Sequence, residues 1–365
     1  MPVSLAERLK EQIRREGPIT FHDWMKGALY DPDGGYYQRR DRVRWGREAD
    51  YRTSPERSEL FAATWAHYFA RLSREFDDLN IVECGAGDGS FAAELLATLR
   101  EQAPAVFANT QYRIFETSAD ARLRAQQRLA EFGDRVKIYD DWDLLSVNSG
   151  IYFSNELLDA FPVHRVVKTE AEVLEFYVAL DDQGDFTWST GSLSTPKLKE
   201  FFDTYSIELA LGQIAEINLR IDEWLAQVAA KLENGYVITV DYGAEADELY
   251  EYQLRPNGTL RGFARHAFVE NLLSQPGDCD LTASVNWTQV RTVGAALGLR
   301  EIEFTSQQKF LLKEGLLEQL EYRLQRVKDE AEKAALTAGA REMILPGGMA
   351  SSFQVLIQRR LPDAI

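Results

Sequence analysis

The residues best suited to chemistry are the run Glu83-Cys84-Gly85-Ala86-Gly87-Asp88-Gly89, with further acids at Glu116, Glu156 and Asp159. The run follows the apolar stretch Leu79-Asn80-Ile81-Val82 and precedes Phe91-Ala92-Ala93-Glu94-Leu95-Leu96, an order that reads as strand, glycine turn and helix. Gly85, Gly87 and Gly89 suit a sharp turn in left-handed backbone, or one against which a ligand presses. Glu83 would repel a pyrophosphate but attract a ligand carrying an ammonium and a sulfonium. A dinucleotide site of G-x-G-x-x-G spacing needs its third glycine where Ser90 stands. The pattern therefore points to S-adenosylmethionine (SAM) as cofactor and away from a nicotinamide dinucleotide.

Further acids stand at successive strand ends. Tyr112-Arg113-Ile114-Phe115 ends in Glu116, placed to accept hydrogen bonds from ribose hydroxyls. After the strand Val136–Tyr139 come Trp142, suited to pack on an adenine ring, and Asp143, which suits either the adenine amino group or an ordinary turn. Ile151-Tyr152-Phe153-Ser154 leads into Asn155 and Glu156. Asp159 lies three residues on, which on a helix would set it beside Glu156 on one face. These two carboxylates are the candidates to grip a cationic methyl acceptor. A second rank for the substrate comprises Asp241, at the end of the expected fifth strand Tyr236–Val240, Glu216, and the histidines His164 and His266. Each has a plainer reading: turn chemistry for Asp241, a helix dipole for Glu216, packing for the histidines. No H-E-x-x-H, cysteine cluster or phosphate loop is present, so no metal is expected.

The elements that must position these residues alternate strand and helix from 79 to 164, the signature of a parallel sheet covered on both faces. The expected organisation is an N-terminal helical region (1–76, with a capping box at Thr53-Ser54-Pro55-Glu56), then a first core segment (77–164). An insertion (165–212) carries a hairpin and a short helix, core resumes at 213–242, a loop-like second insertion spans 243–287, and 288–365 completes the core. The expected α/β fold is Rossmann-like, with a mostly parallel seven-stranded sheet. Both insertions leave its carboxyl edge, where they would form a lid over the site.

Bulk properties bound the partners. A chain of 365 residues with formal charge -17 lacks the clustered cations that nucleic acid demands. Two cysteines, Cys84 and Cys279, are too few for a disulfide framework and suit a reducing cytoplasm. No apolar run approaches the ~20 residues of a membrane span. Nothing in the sequence speaks to the oligomeric state.

The segment Asn155-Glu156-Leu157-Leu158-Asp159-Ala160-Phe161-Pro162-Val163-His164 resembles the N-E-x-x-D-A-[LF]-P-x-[HR] signature of the MidA family of SAM-dependent methyltransferases, which includes arginine methyltransferases of complex I assembly. In the same order stand Tyr36-Tyr37, Thr53-Ser54-Pro55-Glu56, the glycine turn, Glu116-Thr117-Ser118, Glu216-Ile217-Asn218, Asp241-Tyr242-Gly243 and Pro276-Gly277-Asp278-Cys279-Asp280-Leu281-Thr282. The chain departs from the family at Gly85-Ala86-Gly87, where G-P-G is usual, and at Ala49-Asp50-Tyr51, where G-D-F is usual. It also departs at Ser284 and Asn286, where histidine and aspartate are preferred. The resemblance implies methyl transfer to arginine side chains of a protein substrate. The alternative is a non-enzymatic assembly factor on the same fold, against which an intact acid at 156 argues.

Overall fold

The computed structural model describes residues 3–39, 59–264, 267–345 and 352–362. The Thr53–Glu56 capping box, Ala49–Tyr51 and His266 lie outside the described residues.

The chain begins with two helices, α1 (Leu5–Glu16) and α2 (Phe21–Tyr30), each started by a side-chain cap from Ser4 or Thr20. Helix α3 (Glu59–Leu72) leads to the central sheet, whose strands are β1 (Leu79–Cys84), β2 (Thr110–Phe115), β3 (Val136–Tyr139), β4 (Ser149–Asn155), β5 (Asn234–Ala244), β6 (Arg300–Ser306) and β7 (Phe353–Arg360). Their spatial order is β3-β2-β1-β4-β5-β7-β6. Strands β1 to β5 pair parallel, while β7 is antiparallel to both of its neighbours. An eighth, two-residue strand, Val285–Asn286, joins β5 beyond its pairing with β4, one strand more than expected. Helix α4 (Ser90–Gln102) follows β1 and α5 (Ala119–Arg128) follows β2.

Alternation along the strands divides the core between two faces. Ile81, Ile151, Ile238 and Ile357 pack with Trp65 and Phe69 of α3 and with Leu95 and Leu99 of α4. Their neighbours Val82, Tyr152, Val237 and Leu356 pack on the opposite face with α6 (Arg220–Lys231) and Trp287. Trp65 stacks 4.4 Å from Phe310, so the C-terminal helices close over the α3 side. Burying such side chains contributes about 1.5–3 kcal/mol each.

Three regions differ from the sequence expectation. The segment 165–212 is more than a hairpin and a helix. Its hairpin, Val173–Leu180 with Phe186–Gly191, belongs to a five-stranded antiparallel sheet that also takes in Ile19–Thr20, His164–Lys168 and Ile214–Ile217. Helices α1 and α2 pack on that sheet and on Leu281, whereas α3 packs on the central sheet, so the N-terminal helices serve two cores. The second insertion holds a small antiparallel sheet of Arg261–Ala264, Ala267–Phe268 and Asp280–Thr282, where a loop was expected.

Candidate active site

The turn after β1 is built from backbone. Gly85, Gly87 and Gly89 all have positive φ, at 74°, 56° and 77°. The Gly85 N–H donates 2.9 Å to Phe115 O at the tip of β2, and a Cβ at Gly85 would lie 3.0 Å from Leu157 Cδ1. This turn forms one end of a cavity of about 920 Å³ at the carboxyl edge of the sheet. Opposite walls come from α2 and the Tyr36-Tyr37 turn, from α6, and from Thr195 and Lys197 of the first insertion. Among the described residues, the first insertion lines the cavity and 243–287 does not.

Seven of the expected cofactor and catalytic residues meet on this cavity: Glu83, Gly85, Gly87, Glu116, Trp142, Asn155 and Glu156. Glu83 is 5% exposed and accepts a 2.8 Å hydrogen bond from the Tyr112 hydroxyl. Burial raises its pKa to about 8 against the opposing bond from Tyr112, with Glu116 and Asp88 adding to the rise. A cation entering the cavity would favour the ionised form. Both Glu116 oxygens are engaged by backbone, Oε2 by Gly87 N–H at 3.0 Å and Oε1 by Ser118 N–H at 2.8 Å. Glu116 thereby ties the glycine turn to the start of α5. Trp142 forms an aromatic wall with Phe115 (ring centroids 5.1 Å apart) and Trp224 (5.0 Å).

The turn after β4 carries Glu156, a half-buried acid of the cavity wall. Glu156 has φ 53°, one of two non-glycine residues in left-handed backbone among those described. Such a conformation is disfavoured for a residue with a side chain and persists only where the surroundings hold it. Here Glu156 N–H donates to Val240 O at 2.9 Å, and buried Asp241 holds the next three residues of the turn. Asp241 Oδ2 accepts from the N–H groups of Leu157, Leu158 and Asp159 at 3.2, 2.9 and 3.4 Å. Asn155 Nδ2 donates 3.1 Å to Glu156 Oε1, which orients the carboxylate, while Asn155 Oδ1 is buried with no partner among the described residues.

Other expectations are corrected. Asp159 does not line the cavity: no helix follows Glu156, and the left-handed step turns Asp159 onto Tyr242, whose hydroxyl donates 2.5 Å to Oδ2. Asp241 is structural, because β5 continues past it to Ala244 and its carboxylate is spent on backbone. Gly89 caps α4 away from the cavity, packed against Ala125 and Leu129. Asp143 is exposed on a turn, its N–H bonded 2.9 Å to Asp141 Oδ1. Glu216 clamps Thr259 (N–H at 2.5 Å) and Arg165 (Nε at 3.2 Å), beneath Gly258. His164 does line the cavity, but its Nδ1 faces Glu175 Oε1 at 2.7 Å and its ring stacks on His22.

The sequence reading missed Asp88, Tyr37 and Trp224 as lining residues. Asp88 pairs with Arg128 Nη2 at 2.6 Å, and nothing local in the sequence signals that contact. The Tyr36-Tyr37 pair was visible as a motif without a role.

The residues present fit SAM. Left-handed glycines bring backbone to the cavity, a buried acid favours a cation, Asn155 Oδ1 lacks a donor, and aromatic rings form a wall. Fold and site together define a SAM-dependent methyltransferase on a Rossmann-like sheet.

Comparison with known proteins narrows this class. The profile of the family described as putative S-adenosyl-L-methionine-dependent methyltransferase matches residues 60–305, and the chain belongs to that family, the MidA family to which the sequence motifs pointed. It is similar to the mitochondrial protein arginine methyltransferase NDUFAF7 of Mus musculus, 25% identical over 378 residues, covering 96% of this chain and 83% of the relative. The Homo sapiens protein of that name is 25% identical, covering 96% and 82%. A crystal structure from Burkholderia thailandensis, bound to S-adenosyl-homocysteine, superposes with TM-score 0.86 at 28% identity, covering 98% of this chain and 92% of that one. Among the described residues, no helix is long and apolar enough to cross a membrane.

Proposed function

We propose that this methyltransferase acts on arginine side chains of a protein substrate. The observation that carries the reading is Glu156, a carboxylate held on the cavity wall in an unfavourable backbone conformation and oriented by Asn155. Strained backbone of this kind marks places where the fold serves a site. The names of the curated relatives, protein arginine methyltransferases, support the same acceptor.

When bound, SAM supplies a sulfonium-activated methyl group. Gly85, Gly87 and Asn155 would hold it, with Glu83 facing its positive charge and Trp142 beside its ring system. The protein's own task is then positioning. An arginine guanidinium is protonated at all working pH values, with pKa above ~12. A planar carboxylate is the natural partner for it, because two N–H groups can pair with two oxygens. Glu156 in that role draws the positive charge toward the paired nitrogens and leaves the third for methylation. The first insertion contributes Thr195 and Lys197 to the cavity lining, where they can meet an entering side chain.

Incubation with tritium-labelled SAM and cell lysate, followed by acid hydrolysis, tests the acceptor. Radioactivity is expected in methylarginine. Label confined to other amino acids would sink the arginine reading while leaving the methyltransferase intact.

A further inference from the structure

Two motifs that the cofactor site leaves unused, Tyr36-Tyr37 and Asp280-Leu281-Thr282, meet behind the cavity wall. Tyr37 lines the cavity, and its hydroxyl donates 2.6 Å to Oδ1 of Asp280, a residue only 1% exposed. The two segments are fastened at two other points. Arg39 Nη1 pairs with Asp278 Oδ1 at 2.5 Å, and Gly277 approaches Gly34 so closely that a Cβ would fall 2.1 Å from Gly34 O. Tyr30 packs beside Tyr37 with ring centroids 5.4 Å apart, its own hydroxyl held 2.9 Å from Ala160 O. The phenol is thus set from several sides, as a group that must meet a reacting atom requires.

We propose that Tyr37 and Asp280 form a proton-exit dyad for methyl transfer, with Tyr37 touching the acceptor nitrogen and Asp280 acting as relay behind it. The proposal rests on the arginine reading of the site. A guanidinium is cationic before and after methylation, whereas the methyl donor enters as a sulfonium and leaves as a neutral thioether. One proton must therefore leave the acceptor nitrogen for each methyl gained. The N–C bond forms as the C–S bond breaks with its electron pair staying on sulfur. The N–H pair stays on nitrogen, the proton passes to Tyr37 Oη, and the phenolic proton passes to Asp280 Oδ1. Once the products leave, Asp280 gives that proton back to Tyr37 Oη, and the phenol releases the proton taken from nitrogen to water in the cavity, which Tyr37 lines and the buried Asp280 does not.

Two rivals on the cavity wall are Glu156 and His164. Glu156 must stay ionised to hold the guanidinium, so protonating it would release the substrate it positions. His164 is bonded through Nδ1 to Glu175 and stacked against His22 at 4.5 Å. Asp159, itself buried, feels the charge of Asp280. Neighbouring buried carboxyls favour holding a proton between them.

The test compares Y37F and D280N with wild type in labelling of lysate proteins at saturating SAM, alongside calorimetry with S-adenosyl-homocysteine and thermal unfolding. Y37F is expected to lower methylarginine formation by about 10²-fold or more, with affinity for S-adenosyl-homocysteine within about two-fold of wild type. D280N is expected to match it. Should D280N fail to fold, Y37F, which removes one hydroxyl, decides the matter. Wild-type turnover in Y37F would overturn the dyad, as would a loss of S-adenosyl-homocysteine affinity as steep as the loss of turnover. If wild type labels a residue other than arginine, the arginine reading alone falls, and the same Y37F comparison on that product still judges the dyad.

Discussion

The turns after β1 and β4 both pass through left-handed backbone at the same sheet edge, yet they do so by opposite means. After β1 the chain uses glycines, and the ligand-facing surface is backbone. After β4 it places Glu156 there, at φ 53°, and holds the turn with the buried carboxylate of Asp241. The difference shows what each half of the cavity needs. The cofactor half needs close approach, which a side chain would obstruct. On the proposed reading the acceptor half needs a charge, so an unfavourable torsion is held there by backbone hydrogen bonds that a second acid, Asp241, accepts.

The sharpest way to break this contrast is to remove the support. Asp241→Ala leaves four backbone N–H groups (of Tyr242, Leu157, Leu158 and Asp159) without their acceptor. Urea unfolding should register a loss of roughly 3 kcal/mol or more, as expected for orphaned buried donors. An unchanged midpoint would mean that the turn holds itself.

Next in size is the glycine side. Gly85→Val adds a side chain at φ 74° where even a Cβ stands 3.0 Å from Leu157. Calorimetry should show affinity for S-adenosyl-homocysteine reduced by about 10²-fold, corresponding to roughly 2.7 kcal/mol, with the fold retained. Undiminished binding would move the cofactor away from this turn.

Between the two turns lies Glu83, whose pKa is raised to about 8 by burial. The folded protein holds a proton that the unfolded chain gives up in the ordinary carboxylate range. That stabilisation is complete below the ordinary range and is lost as pH rises through about 8. Without cofactor, wild type should lose on the order of 2 kcal/mol more than Glu83→Gln between pH 6 and 8, measurable as the difference in their denaturation midpoints. Parallel pH dependence in the two proteins would contradict the raised pKa.

The smallest expected effect sharpens the comparison from the other side. Glu156→Gly relieves the left-handed torsion and should stabilise the fold by about 1 kcal/mol, while labelling of arginine falls to background. A variant that is more stable and inactive would show directly that this carboxylate is kept for function at the expense of stability.

Legibility followed the range of the interactions. The run from Leu79 to Leu96 was readable because strand, glycine turn and helix are local, and Glu83 and Glu116 could be placed from where parallel strands end. Asp159 was misplaced because a three-residue spacing brings side chains together only on a helix, and the backbone after Glu156 is not helical. Asp241 was placed at a strand end because the apolar run stops at Val240, whereas pairing with β7 carries the strand to Tyr242 and pairing with Val285–Asn286 carries it to Ala244. Glu216 was offered for the substrate, but Thr259 and Arg165, far off in sequence, claim its oxygens.

What the residue order decided alone is the class of cofactor and the edge of the sheet where it sits. Periodicity, glycine torsions and the sign of a charge act within a few residues and leave their mark in the sequence. Which acid faces the cavity, which acid supports it, and that Tyr37 meets Asp280 were decided only by tertiary packing. Such contacts join segments separated by as many as 243 residues, and their hydrogen bonds depend on side-chain direction that no spacing along the chain encodes.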